Sequence, residues 1–423
     1  MLSGLRARQF AGKLGPGLIT GAADDDPSGL ATYSQAGAQF GAGLLWTMAF
    51  TTPLMIGIQL VSARIGWLTG KGLAASMRRV MPAWLTTCIV TLLLCANTLN
   101  IAADIAAMGE SLRLLVGGPR SGYAVLFGLL CTVLPVWLGF DAMVRLLKWL
   151  TLTLLSYVAV VFMLHVNWER VLSESLLPRL SHGSAYWTMV VAVLGTTISP
   201  YLFFWQSAQE AEVRQRMDAA GGVESQIAPT LVYVREHLYR IKLDTTVGMV
   251  FSNLIAFCVI LATALTLHEH GLTDIQTTAQ AAQALRPLAG EFAFTLFAAG
   301  IIGTGMLAVP VLAASSGYAV ADALQWRSGL DNHWLEARGF YTVIGLGTAI
   351  GTLLNFTAVD PIKALVWSAV VNGVIAVPIM AVMMWLGTRR DVLGDYTLSG
   401  RHRVLGWFAT AVMAAAVTAM FVV

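Results

Sequence analysis

Apolar residues run through this chain in long blocks separated by short polar segments. The blocks are too long for strands and too uniformly apolar for helices that bury only one face. Stretches of about 20 mostly apolar residues match the hydrocarbon thickness of a bilayer. They fall at 14–36, 42–67, 83–109, 121–140, 145–166, 186–209, 244–267, 290–321, 338–356, 361–387 and 404–423. The pattern predicts an all-α polytopic membrane protein of 423 residues with about 11 transmembrane helices.

Composition points the same way. Only 12% of residues are charged, where soluble proteins carry about 25%, and the mean hydropathy is +0.71. No soluble domain is expected, and the net charge of +3 concerns topology rather than nucleic-acid binding. Cys88, Cys95, Cys131 and Cys258 lie in apolar segments without zinc-like or redox spacing and read as packing residues. Arg6, Arg8 and Lys13 precede a segment interrupted by Asp and Pro rather than by a small-residue cleavage site, so the first helix is expected to stay.

Charge placement tests the span assignment. With the N-terminus inside, 20 of the 26 Lys and Arg fall on the cytoplasmic side. Arg113, Arg120, Arg170, Arg179, Arg286 and Lys363 fall outside. So strong a positive-inside bias supports a cytoplasmic N-terminus and an external C-terminus. The longest connection, Glu210 to Asp244, is charged and contains Gly221, Gly222 and Pro229. It reads as a cytoplasmic loop with a short amphipathic helix around "TLVYVREHLYRIK".

One stretch resists this scheme. In "LITGAADDDPSGLATYS", Asp24, Asp25 and Asp26 stand in a row inside an apolar segment, followed by Pro27, Ser28 and Gly29. An Asp at the centre of a spanning helix costs about 2.5 to 3.5 kcal/mol, far more than the roughly 0.3 to 0.6 returned by one Leu or Ile. The flanks, Gly15 to Ala23 and Leu30 to Phe40, each supply about half a crossing at 1.5 Å per residue. The Asp cluster therefore sits near the midplane, where the helix is interrupted. A second interruption gathers Gly195, Thr196, Thr197, Ser199 and Pro200 in the sixth span. Spans one and six are corresponding members of two five-helix halves, and matched breaks point to a transporter site built on an inverted repeat.

Carboxylate, carbonyl and hydroxyl oxygens suit a hard cation. Successive helical residues point about 100° apart, so at most two of the three Asp can face one ion. Asp26, at the break, is the first candidate ligand, with Asp25 behind it, while Asp24 caps the helix or faces solvent. Thr196 and Ser199 are the matching candidates from span six. Asp104, Asp24, Tyr201, Asn372 and Gln206 are candidates for secondary or proton-route roles.

At these residues the chain resembles the Nramp (natural resistance-associated macrophage protein) family of divalent metal transporters. The similarity lies in "GPGLITGAADDDPSGLATYSQAGAQFG", "GTTISP", "GTGMLAVPVLAASSGYAVADAL" and "DPIKALVWSAVVNGVIAVP", spread over nearly the whole chain. It implies a LeuT-type 5+5 inverted repeat in a single transmembrane domain, 1–423. The first repeat would cover 14–166, the second 186–387, and an extra helix 404–423.

The resemblance also implies an alternating-access carrier of divalent cations, not an enzyme. It acts without a cofactor beyond the transported ion and without an obligatory protein partner, in the bacterial inner membrane. Departures bear on the cargo. The family's Asp-Pro-Gly-Asn break keeps Asp26 and Pro27, but Ser28 replaces its Gly and Gly29 its Asn. In span six Ser199 replaces a Met and Tyr201 a His. Loss of the thioether favours a harder ion such as Mg2+ and/or Mn2+, a pattern similar to the Nramp-related magnesium transporters. Asp104 matches the family's third-helix Asp, but Ala107 stands where a Glu belongs, so obligatory proton coupling is not expected.

Two rival readings remain at this level. The same architecture could carry an organic cation coupled to sodium or protons. An intramembrane aspartyl protease would need two carboxylates from different helices, as Asp26 and Asp104 could supply, but neither stands in the usual Gly-Asp catalytic motif.

Overall fold

The computed structural model describes residues 15–138, 152–178, 180, 183–220, 231–330, 332–357 and 360–423. All regular structure among them is helical. The first predicted span is two helices, α1 (Pro16–Asp24) and α2 (Pro27–Phe40). Next come α3 (Leu45–Thr69), the short α4 (Leu73–Arg78), α5 (Ala83–Val116) and α6 (Arg120–Leu138). After 139–151, which includes Arg145, Lys148 and the start of the fifth predicted span, follow α7 (Leu155–Met163) and α8 (Trp168–Leu176).

The second half begins with another broken pair, α9 (Ser184–Thr197) and α10 (Pro200–Ala220). It continues with α11 (Leu231–Thr266), the short α12 (Thr278–Ala282) and α13 (Arg286–Ala289), α14 (Ala293–Leu324), α15 (Arg338–Leu354) and α16 (Pro361–Gly387). A one-turn α17 (Arg390–Leu393) precedes the final α18 (Gly400–Val422).

By length and apolarity, seven helical stretches among the described residues can cross a membrane, or eight if α7 and α8, bent by 120°, form one span. That is fewer than the eleven expected. One stretch, 27–69, joins α2 to α3 through a 3-10 turn, and the half-helix α1 and the 17-residue α15 are too short to count.

Two details differ from expectation. The Glu210–Asp244 segment is not a loop with a separate amphipathic helix: α10 runs on to Ala220, and Leu231 onward is the first part of α11. Gly221, Gly222 and Pro229 lie outside the described residues. Charged residues interrupt apolarity but not helix formation, because Arg, Glu and Lys have good helix propensity. Cys88 and Cys95 are exposed on the bundle surface rather than packed, whereas Cys131 and Cys258 are buried as expected.

The breaks are capped, not frayed. Pro16, Pro27 and Pro361 each sit in the first turn of a helix and Pro200 opens α10. At that position the missing N–H costs nothing. α1 lies along α11 at very short range: a Cβ on Gly21 would fall 2.4 Å from the Gly248 carbonyl carbon, and one on Gly17 would fall 2.6 Å from the Thr245 nitrogen. At the start of α1, the Asp244 carboxylate of α11 accepts the N–H groups of Gly15, Gly17 and Leu18 at 2.9, 2.7 and 3.1 Å. These are donors that a helix N-terminus otherwise leaves unpaired.

Gly21→Val should therefore force α1 off α11, at a cost of about 1 to 3 kcal/mol for overpacking. Thermal unfolding in detergent should show a lower midpoint than for the wild-type protein. An unchanged midpoint would mean that the two helices do not approach this closely.

Candidate ion site at the two helix breaks

The two breaks meet. The Tyr201 hydroxyl, one residue into α10, donates to the Ala23 carbonyl at 2.8 Å. On the other side of the crossing, a Cβ on Gly29 would lie 3.0 Å from Thr196 Oγ1, 3.3 Å from the Tyr33 ring and 3.4 Å from the Asp24 carbonyl oxygen. A side chain here would crowd Thr196 and Tyr33, which would have to give by a few tenths of an ångström. Gly29 thus opens the space that the resemblance assigns to an Asn.

Asp24, Asp25 and Asp26 are all buried, at 1, 5 and 3% exposure. Asp26 caps α2, with Oδ1 accepting the Gly29 N–H at 2.6 Å. Asp25 ends α1 with non-helical backbone angles, φ −83° and ψ 53°. Asp24 does not face solvent and caps nothing. Its Oδ2 accepts the Ser252 hydroxyl of α11 at 2.7 Å, while its Oδ1 has no partner. The same hydroxyl lies 3.0 Å from Asp25 Oδ1.

Asp104, on α5, is fully buried, and neither of its carboxylate oxygens completes a hydrogen bond. It lies near Asp26 and the Ser28 N–H, so the structure brings it to the break. One turn earlier, Asn100 is fully buried with both amide atoms unpaired. Ser28 ties α2 to α16, donating to Leu365 O at 2.9 Å beside Ser368 Oγ at 3.1 Å. Ser368 also lines a cavity of about 240 Å³ between α5, α15 and α16.

Ser199 turns its hydroxyl back on the Gly195 and Thr196 carbonyls at 3.0 and 2.7 Å. Asn372 is buried on α16 with its Oδ1 unpaired. Gln206 is engaged elsewhere, accepting from Gln59 Nε2 and donating to Thr245 Oγ1, both at 2.7 Å. Among the described residues, no three His, Cys, Asp or Glu side chains converge as a ready metal cage. An ion here would be completed by carbonyls, hydroxyls or water.

Two residues escaped the sequence reading. Tyr33 follows Asp26 by seven residues, two helical turns, and that spacing could have found it. Ser252 signals only as a polar Ser-Asn pair within the apolar seventh span.

Helices long enough to span a bilayer, two capped breaks meeting inside the bundle and carboxylates buried between them define an integral membrane protein built as a transporter. A family model described as natural resistance-associated macrophage protein-like matches residues 17–423. The chain belongs to the Nramp family.

It is 28% identical over 397 residues to a protein of Verminephrobacter eiseniae named divalent metal cation transporter MntH, covering 90% of this chain and 82% of the relative. A protein of the same name from Acidiphilium cryptum is 25% identical over 407 residues, with 91% and 84% covered. Among solved structures, the manganese transporter of Eremococcus coleocola superposes with a TM-score of 0.74 at 16% identity, over 97% of this chain and 86% of that one. MhsT in complex with L-phenylalanine gives 0.61 at 13% identity, over 96% and 97%. These likenesses bear out the LeuT-type fold.

Tyr201→Phe tests the link between the breaks. It leaves the buried Ala23 carbonyl without its donor, and an unsatisfied buried group costs about 1 to 3 kcal/mol. The melting midpoint of the purified variant should fall accordingly, and an unaltered midpoint would show that this bond does not tie the breaks.

Proposed function

We propose that this protein carries a divalent cation across the membrane by alternating access, binding it at Asp26 between the two broken helices. One observation carries the reading. Asp24, Asp25, Asp26 and Asp104 are buried together, while no Lys, Arg or His side chain is fully buried among the described residues. Uncompensated buried charge is costly, so such a group is retained where a cation visits it. Asp26 and Asp104 supply carboxylate oxygens, and the Thr196 and Ser199 hydroxyls with the carbonyl ends of α1 and α9 supply the rest. All are hard ligands suited to Mg2+ or Mn2+. The relatives' names, which specify divalent metal and manganese, agree in charge and class.

The proposed setting is a bacterial inner membrane with the N-terminus cytoplasmic, the C-terminus outside, and two inverted repeats at 14–166 and 186–387. The positive-inside bias supports that orientation. Asp26→Ala should abolish uptake of Mn2+ and Mg2+ into proteoliposomes while leaving the protein folded, and Asp24→Ala should matter less. Near-normal uptake by the Asp26 variant would remove Asp26 from the path.

Transport is a passive uniport. Ala107 has no titratable group, and the Tyr201 phenol, with an ordinary pKa of about 10, is no proton carrier near neutral pH. The membrane potential supplies about 2.3 kcal/mol per charge per 100 mV, so roughly 4.6 for a divalent ion, enough for more than a thousandfold accumulation. A trapped pH dye in proteoliposomes should report no acidification coupled to ion entry. Acidification that tracks uptake and vanishes in Asp104→Asn would overturn the uniport.

A further inference from the structure

We infer that the protein binds a phosphate-bearing anion in a cavity between α4, α10 and the segment after α14. The cavity has a volume of about 520 Å³, and Lys71, Arg78, Arg79 and Arg327 line it. Small-molecule sites commonly enclose about 300 to 1,000 Å³. Along α10 the cavity begins at Ala208, eight residues past the break at Pro200 and about 12 Å down the helix, so it is separate from the ion site.

Its positive charge is not balanced from within. Two acidic residues, Glu212 and Asp322, also line the cavity, but both are turned to protein partners. Glu212 accepts the Tyr318 hydroxyl at 2.6 Å and pairs with Arg216 at 3.2 Å. Asp322 is turned onto the backbone at the start of α4, beside Gly72 and the Ala75 N–H. Lys71 and Arg79 are exposed, and among the described residues their side chains complete no hydrogen bond or ion pair; the carboxylates of Asp322 and Asp391 act on them from further away. Arg78 spends one N–H on the Ala323 carbonyl. Arg327 meets Glu336 at 3.2 Å in a solvent-exposed pair, of the kind that contributes little.

A positive-inside bias places cations on a face of the protein but does not gather them. Here they converge on one concavity from both ends of α4 and from the segment after α14. A positive lining of this kind raises the local concentration of anions, and guanidinium groups match phosphate oxygens through paired N–H bonds. The wall itself is built at a conformational cost. Gln325, with φ 58°, is the one non-glycine residue in the left-handed region among the described residues, and the turn it makes sets Gln325 to Ser328 along the cavity. A soluble phosphate compound and the headgroup of an anionic lipid share the chemistry that this site recognises.

The test uses the full chain in nanodiscs without divalent ions. In phosphatidylcholine nanodiscs, calorimetric titration with pyrophosphate reads a soluble ligand. In nanodiscs containing phosphatidylglycerol, native mass spectrometry reads a retained lipid. Saturable binding in the first arm, or a retained phosphatidylglycerol in the second, is expected and assigns the source. In either arm Lys71→Gln combined with Arg79→Gln should weaken binding about tenfold or more, equivalent to losing one charge-assisted hydrogen bond. Both residues are exposed, and Arg79→Glu alone, which reverses one charge, should weaken binding in the same direction. Arg401→Gln combined with Arg403→Gln removes two exposed cations at the start of α18 and should bind as the wild type does, as should Asp26→Ala. No saturable binding in either arm would overturn the inference. So would unchanged binding in the Lys71 and Arg79 variant, or an equal loss in the Arg401 and Arg403 variant, which would mean diffuse attraction rather than a site.

Discussion

The structure is organised around buried carboxyl groups that no cationic side chain meets among the described residues. Elsewhere in the bundle, buried carboxylates are answered locally. Glu210 meets Arg240 at 2.5 Å, Glu174 meets Arg170 at 3.1 Å, and Asp244 accepts three backbone N–H groups. The four carboxylates at the breaks have hydroxyls and a capping N–H, but no buried cationic side chain among the described residues. Desolvating a carboxylate costs several kcal/mol even after relaxation. The end of α1 at Asp24 and the glycine that opens room at the crossing keep these carboxyl groups beside polar backbone ends.

Around this centre the helices divide the work. α5 packs along α14 and α16, and delivers Asp104 and Asn100 from one face. α16 holds α2 through the Ser28 contact, so the half-helix after the break is braced by a long neighbour. α11 holds the half-helix before the break through backbone approach and a carboxylate cap. The two halves of the first span therefore answer to different partners, which is what allows a break at Asp25 without loss of position.

The breaks were legible in the sequence because the energy of three adjacent Asp residues admits no continuous lipid-facing helix. Proline alone would have misled: Pro53, Pro135, Pro310 and Pro378 lie inside unbroken helices. Company distinguished Pro27 and Pro200, since both stand among small and hydroxyl residues that tolerate unwinding. The partner of Asp24 was not legible. Its hydroxyl comes from Ser252, 228 positions away, and no local pattern encodes that distance. The course of 210–244 was misread because polarity was taken as the end of helix, when it marks only the end of apolar surroundings.

The Asp244 contact has a mechanical consequence. α1 is nine residues long, pivots on the non-helical Asp25 at one end, and is fastened at the other by one carboxylate through three hydrogen bonds. Any movement of this end of α1 away from α11 has to break all three bonds. They act as a latch on a short lever, with its release point about 14 Å from the pivot at 1.5 Å per residue. Resistance to such a movement is therefore set at the far end of α1, by a residue that lies outside the break.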